Sequence, residues 1–200
     1  MFLLVTTVVD LGPAARRMAE LVVNVPDEAF GAPTPCPGYT VGDLVEHVGT
    51  MAVAFGAAAT KETEGIGDRR PTGDASQLPH DWRERIPQFL TALAEAWRDP
   101  LAWTGHTRVG GADLPGEIAG VIALDELVLH GWDLARASGQ DFDVDPASLH
   151  VVHGFLGGLA DPEQAGMRAG LFAPVVEVGP DEPMLDRVVG LAGRDPHWSA

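Results

Sequence analysis

The sequence has little of several things, and each scarcity excludes a class of protein. One of its 200 residues is cysteine (Cys36), so neither an internal disulfide nor a cysteine-rich metal site is available, and a reducing, cytoplasmic setting is expected. Positive charge is scarce: 13 basic residues, with a single lysine (Lys61), stand against 29 acidic ones, for a formal net charge of −16. Phosphate backbones and anionic lipid repel such a chain, which argues against nucleic acid and membrane surfaces as partners. Long hydrophobic runs are missing. The apolar stretch Met1 to Val9 stops at Asp10, spans less than half a bilayer, and lacks the basic flank and cleavage site of a signal peptide. There is no glycine-rich phosphate loop, no Gly-x-Ser-x-Gly elbow and no CxxC pair.

What is present is ordinary globular material: 46% hydrophobic and 21% charged residues in a length suited to one domain. Apolar spacing predicts a first helix from about Thr7 to Asn24, with a start nearer Asp10 if Pro13 occupies the first turn, and Pro26 stops it. Three prolines and a glycine keep residues 32–39 irregular, and Thr40 with Asp43 forms a capping signal for a second helix reaching about Ala59. Residues 60–80 read as a long connection. A third helix fits Asp81 to Trp97, with Pro87 bending it or delaying its start. Trp103 to Gly116 reads as a loop or irregular hairpin, and Pro115 opens the longest and most apolar helix, which ends at Gly139. Asp145-Pro146 begins a shorter helix to about Leu159, Val175 to Val178 a strand, and Met184 to Ala192 a last short helix. The expectation is an all-α, four-helix bundle with crossover connections at about 5–140, plus a short mixed appendage at about 141–200, in a single domain.

Among seven histidines, His47 and His130 fall inside long predicted helices. Glu126 and His130 are one turn apart on one face, a spacing from which a carboxylate and an imidazole can hold one ion. Asp133 lies on the same stripe. Glu126, His130, Asp133, Asp125 and Arg136 also describe a solvated polar face, but Ile118, Ile122, Leu129 and Trp132 interrupt that arc, and a buried glutamate needs a partner. His47 sits at the edge of its helix's apolar stripe, as a boundary residue or as a ligand pointing to a neighbouring helix. His150 and His153 lack a nearby carboxylate and read as surface or packing residues; His80, His106 and His197 lie in loops or near the end. Cys36, between prolines, reads as part of an exposed turn.

The run Thr34-Pro-Cys-Pro-Gly-Tyr-Thr-Val41 leading to Asp43-Leu-Val-Glu-His47, with Glu126-Leu-Val-Leu-His130-Gly-Trp-Asp133-Leu-Ala135, resembles the DinB-like superfamily, and within it the metal-binding domain of mycothiol-dependent maleylpyruvate isomerase. Gly170 to Val178, Leu185-Asp-Arg187 and Gly193-Arg-Asp-Pro196 resemble an actinobacterial metal-binding subgroup. The resemblance implies a four-helix bundle with one divalent ion held by His47, Glu126 and His130. Tyr39 stands where tryptophan is commoner. The residues after Gly139 look too short and too different to supply the isomerase's further C-terminal domain, which argues against maleylpyruvate as the substrate.

Two imidazoles and a carboxylate leave a coordination position open. Zn²⁺ is the first expectation, with Ni, Fe, Co or Mn as alternatives. The expected chemistry is a thiol-dependent transferase or isomerase reaction. The ion activates a low-molecular-weight thiol such as mycothiol toward an electrophilic substrate, and Asp133 orients His130 or accepts a proton. The alternatives are a non-catalytic metal or small-ligand binding module, a non-haem Fe(II) oxygenase with the same donor set, and a metal-free bundle. Trp82, Trp97, Trp103, Trp132 and Trp198 offer surface for a homodimer contact if exposed.

Overall fold

The computed structural model describes residues 8–69, 71 and 73–199; Thr7 and the start of the apolar leading segment lie outside it. Helix α1 runs Gly12–Val23, with Pro13 in its first turn. It starts later than the apolar spacing suggests because Asp10 Oδ1 accepts the Gly12 N–H at 2.9 Å and Leu11 forms the N-cap. Helix α2, Val41–Thr60, begins with a complete capping box: Thr40 Oγ1 accepts from the Asp43 amide while the Asp43 carboxylate accepts from the Thr40 amide. Lys61 ends it in the left-handed conformation. Thr40→Ala removes one acceptor at this terminus and is expected to cost about 1 kcal/mol, a fall of about 2–4 °C in the calorimetric Tm.

Helix α3, Trp82–Ala96, takes Pro87 without a delayed start. Burial of Trp82 and Ile86 anchors its first turn, and the proline removes only the bond to the carbonyl one turn back. A hairpin follows, β1 (His106–Val109) paired antiparallel with β2 (Ala112–Pro115). Its two-residue turn has Gly110 at φ 60° and Gly111 at φ 83°, values that side-chain-bearing residues resist. Helix α4, Gly116–Ser138, ends at Gly139, again left-handed at φ 69°.

α1 packs against α3 and α4, and α2 also packs against α3 and α4. Consecutive helices α1 and α2 therefore sit across the diagonal, the arrangement that crossover connections produce. One continuous core fills the bundle. Trp97 and Trp103 stack edge to face within it at 5.1 Å, their indole N–H groups donating to the carbonyls of Phe55 and Trp97. Trp82 and Trp132 are buried too, so of the tryptophans named as a dimer surface only Trp198 is even half-exposed.

After the bundle, α5 (Pro146–Leu159) starts on an Asp145 cap and packs on α4; a short turn α6 (Ala165–Arg168) follows; and α7 (Met184–Leu191) packs on α5. Val152, Leu156, Val188 and Val189 join the bundle's core. The strand expected at Val175 to Val178 does not form. These residues are extended, but only the Val176 amide finds a backbone partner, the carbonyl of Gly190 in α7, and no other strand lies alongside among the described residues.

Candidate metal centre

The Glu126–His130 pair and His47 come from adjacent helices, α4 and α2, and their side chains meet although His47 and Glu126 are 79 residues apart in the chain. Nε2 of His47 and Nε2 of His130 each lie 3.2 Å from the same atom, Oε2 of Glu126. Ligand atoms from all three residues fall within 4.8 Å of one another. The two imidazoles stand edge to face at 4.8 Å, and Tyr39 covers His47 from the other side at 5.6 Å. The imidazole side chains are 10% exposed and that of Glu126 25%, so solvent reaches the cluster from the carboxylate side.

Behind His130, Asp133 is fully buried and accepts from Nδ1 at 3.0 Å. Arg194, from the segment after α7, grips the same carboxylate with both prongs, Nη2 to Oδ2 at 2.9 Å and Nε to Oδ1 at 3.1 Å. Burial opposes the Asp133 charge, yet the guanidinium and the His130 bond hold its carboxyl below the ordinary range. Asp133 thereby fixes the proton of neutral His130 on Nδ1, leaving the Nε2 lone pair aimed at Glu126. Two acceptors facing each other at 3.2 Å require positive charge between them. A proton can supply it: burial works against that proton, but the Asp133 and Glu126 bonds raise His130 to about 9. Partial desolvation likewise works against the Glu126 charge, and the two imidazoles carry its carboxyl well below the usual range.

A divalent cation fits the same position. With Zn–N and Zn–O bonds of about 2.0–2.1 Å, tetrahedral ligand atoms stand about 3.3 Å apart, close to the 3.2 Å imidazole–carboxylate separations. An imidazole backed by a buried carboxylate is the usual support of a metal-binding histidine.

Other readings change. Asp125 and Asp133 do not form a solvated face: they are 3% and 0% exposed. Burial and the adjacent Glu126 charge push the Asp125 carboxyl up to about 8, and its Oδ1 has no hydrogen-bond partner among the described residues. Cys36 is half-buried, with its sulfur close to His130 and Asp133. Thr34 ties down the loop that carries it, bonding the carbonyls of Cys36 and Tyr39 through its hydroxyl. Burial first and the Asp133 charge second push the Cys36 thiol up to about 11, which makes it a wall of the site and a poor nucleophile. Arg194 is the residue that helix patterning misses; the Gly193-Arg-Asp-Pro196 motif was its only signal. His80, His106, His150 and His197 are exposed, and His153 is half-buried, with its bond going to Arg187.

The solved structure of the mycothiol-dependent maleylpyruvate isomerase superimposes with a TM-score of 0.64 at 17% identity, covering 95% of this chain and 89% of that one. A histidine-to-alanine mutant of that enzyme gives 0.56 at 18%, over 74% and 67%. The fold likeness therefore continues beyond Gly139, through residues that in sequence looked too short and different to follow the isomerase. Two uncharacterized proteins of Mycobacterium tuberculosis, MT0763 (strain CDC 1551 / Oshkosh) and Rv0738 (strain ATCC 25618 / H37Rv), are each 31% identical over 136 residues, 66% of this chain and 68% of theirs. The model of the mycothiol maleylpyruvate isomerase N-terminal domain family matches residues 11–135, a span containing all three candidate ligands, and the chain belongs to that family.

Proposed function

We propose that the protein holds one divalent cation, Zn²⁺ first among the candidates, through His47 Nε2, Glu126 Oε2 and His130 Nε2, and serves a thiol-dependent transferase or isomerase reaction with mycothiol or a similar low-molecular-weight thiol as cosubstrate. The observation that carries this reading is the convergence of both Nε2 atoms on one carboxylate oxygen, in front of a buried Asp133–Arg194 pair. A cation bound there supplies a Lewis-acidic position that favours the thiolate form of a thiol over the thiol itself.

The chain's own residues do the rest. Asp133 holds the His130 proton on Nδ1 and keeps the ring from turning; Arg194 keeps Asp133 ionised and in place. Tyr39 packs on His47 and restricts that ring. Cys36, the thiol beside His130 and Asp133, is held protonated and is a poor nucleophile; a nucleophile delivered by a cosubstrate suits such a site.

Co²⁺-substituted protein tests the reading. Added mycothiol, or cysteine as a simpler thiol, is expected to shift the Co²⁺ absorption spectrum saturably. A tightly bound Co²⁺ whose spectrum ignores thiol would instead identify a metal-binding module without thiol chemistry.

A further inference from the structure

A second cleft lies away from the metal ligands, between α5, α7 and the extended segment 175–180, with a volume of about 640 Å³. That is the size of a metabolite site. None of His47, Glu126, His130, Asp133 or Arg194 lines it; His153, Arg187, Leu191 and residues 175–180, Glu177 among them, do.

Arg187, like Arg16, Arg69, Arg136 and Arg168, has no carboxylate partner among the described residues, and it is the one of these that lines the cleft. Its hydrogen bond runs to Nε2 of His153 at 3.1 Å. A guanidinium only donates, so Nε2 must accept and the His153 proton sits on Nδ1. Burial, and then the Arg187 charge, hold this imidazole below its ordinary pKa, in keeping with that tautomer. The other guanidinium N–H groups have no acceptor among the described residues.

The segment facing them adds donors. Among the described residues, the Val176 amide alone between Ala173 and Gly179 has a backbone partner, Gly190 at 3.0 Å. Val178 rests on Gly190, where a side chain would collide with it, so the segment is pinned to α7 at Val176 and Val178. Val175 and Glu177 are exposed although both lie along the cleft, and the Glu177 carboxylate makes no ion pair with Arg187. The cleft thus combines a guanidinium that has no carboxylate partner and spends one bond on His153 with backbone amides that have no backbone acceptor, a donor surplus that matches an oxyanion.

We propose that this cleft binds a small oxyanion, a carboxylate or phosphate group carried by a metabolite, with Arg187 as its principal anchor. The site is separate from the metal centre and stands whether or not the thiol reading holds.

The test is titration of the full-length protein at constant ionic strength with succinate, inorganic phosphate and, as a neutral control, succinamide, followed by calorimetry and by amide ¹⁵N–¹H shifts. Saturable shifts centred on residues 175–179 and 187 are expected with at least one anion and none with succinamide; whichever anion binds more tightly names the class. Arg187→Gln is expected to weaken binding about tenfold or more, while His130→Ala, which alters the metal centre alone, leaves it unchanged. Unsaturable shifts with both anions, shifts centred elsewhere, or equal affinity for Arg187→Gln and the parent protein would overturn the proposal. Should Arg187→Gln misfold, the shift map of the unaltered protein decides by itself.

Discussion

His130→Ala is expected to strip the protein of its cation. The parent chain, dialysed after Zn²⁺ loading, should keep one equivalent by elemental analysis, whereas the variant should bind more than about 100-fold more weakly, since losing a ligand exceeds the 10–100-fold cost of losing the group behind one. His47→Ala should behave alike. Asp133→Asn, which preserves shape but cannot hold the Nδ1 proton with the same force, belongs in that 10–100-fold range. The ordering is the informative part: ligand variants lowest, the Asp133 variant between, Thr40→Ala unchanged. Full stoichiometry surviving both histidine replacements would remove the ligand assignment and the thiol chemistry with it.

Arg194→Ala is expected to produce the largest loss of stability. Asp133 has no exposed surface, and the guanidinium that neutralises it has only 9% of its side-chain surface exposed. Removing one partner of such a pair strands a buried charge at a cost of about 3–5 kcal/mol, or about 6–20 °C in Tm for a chain of this size. Thermal unfolding of metal-free protein measures this without interference from cation binding. Replacing both partners with apolar residues should recover much of the loss, because the penalty arises from the orphaned carboxylate and not from the absence of the pair. A shift of under about 2 °C for Arg194→Ala would show that water reaches Asp133 and that the clamp is not dry.

Local patterning made most of the fold legible. Pro13, Thr40 with Asp43, Pro115 and Gly139 mark helix boundaries through chemistry that acts within a few residues, and the structure ends or begins helices at or beside each of them. The Gly110-Gly111 turn is legible for the same reason. The strand expected at Val175 to Val178 fails because valines favour an extended chain but specify no partner, and the neighbour here is the end of a helix. Glu126 and His130 could be paired from one-turn spacing; joining His47 to them needed the family resemblance, since periodicity carries no information on which helices touch. The Arg194 clamp and the inward position of Cys36 depend on contacts across 61 and about 100 residues of chain, where no short-range signal operates.

Those separations bear on when the centre comes into being. A nascent chain that has emerged only through α2 displays one lone imidazole; the acid–imidazole pair arrives 79 residues later, and the guanidinium behind Asp133 later still. Capture of the proposed cation would therefore be a late event in biosynthesis, dependent on long-range closure and unable to nucleate it. The proposed ion would then act as a lock on a finished bundle, and its scarcity would shorten the protein's lifetime rather than prevent its helices from forming.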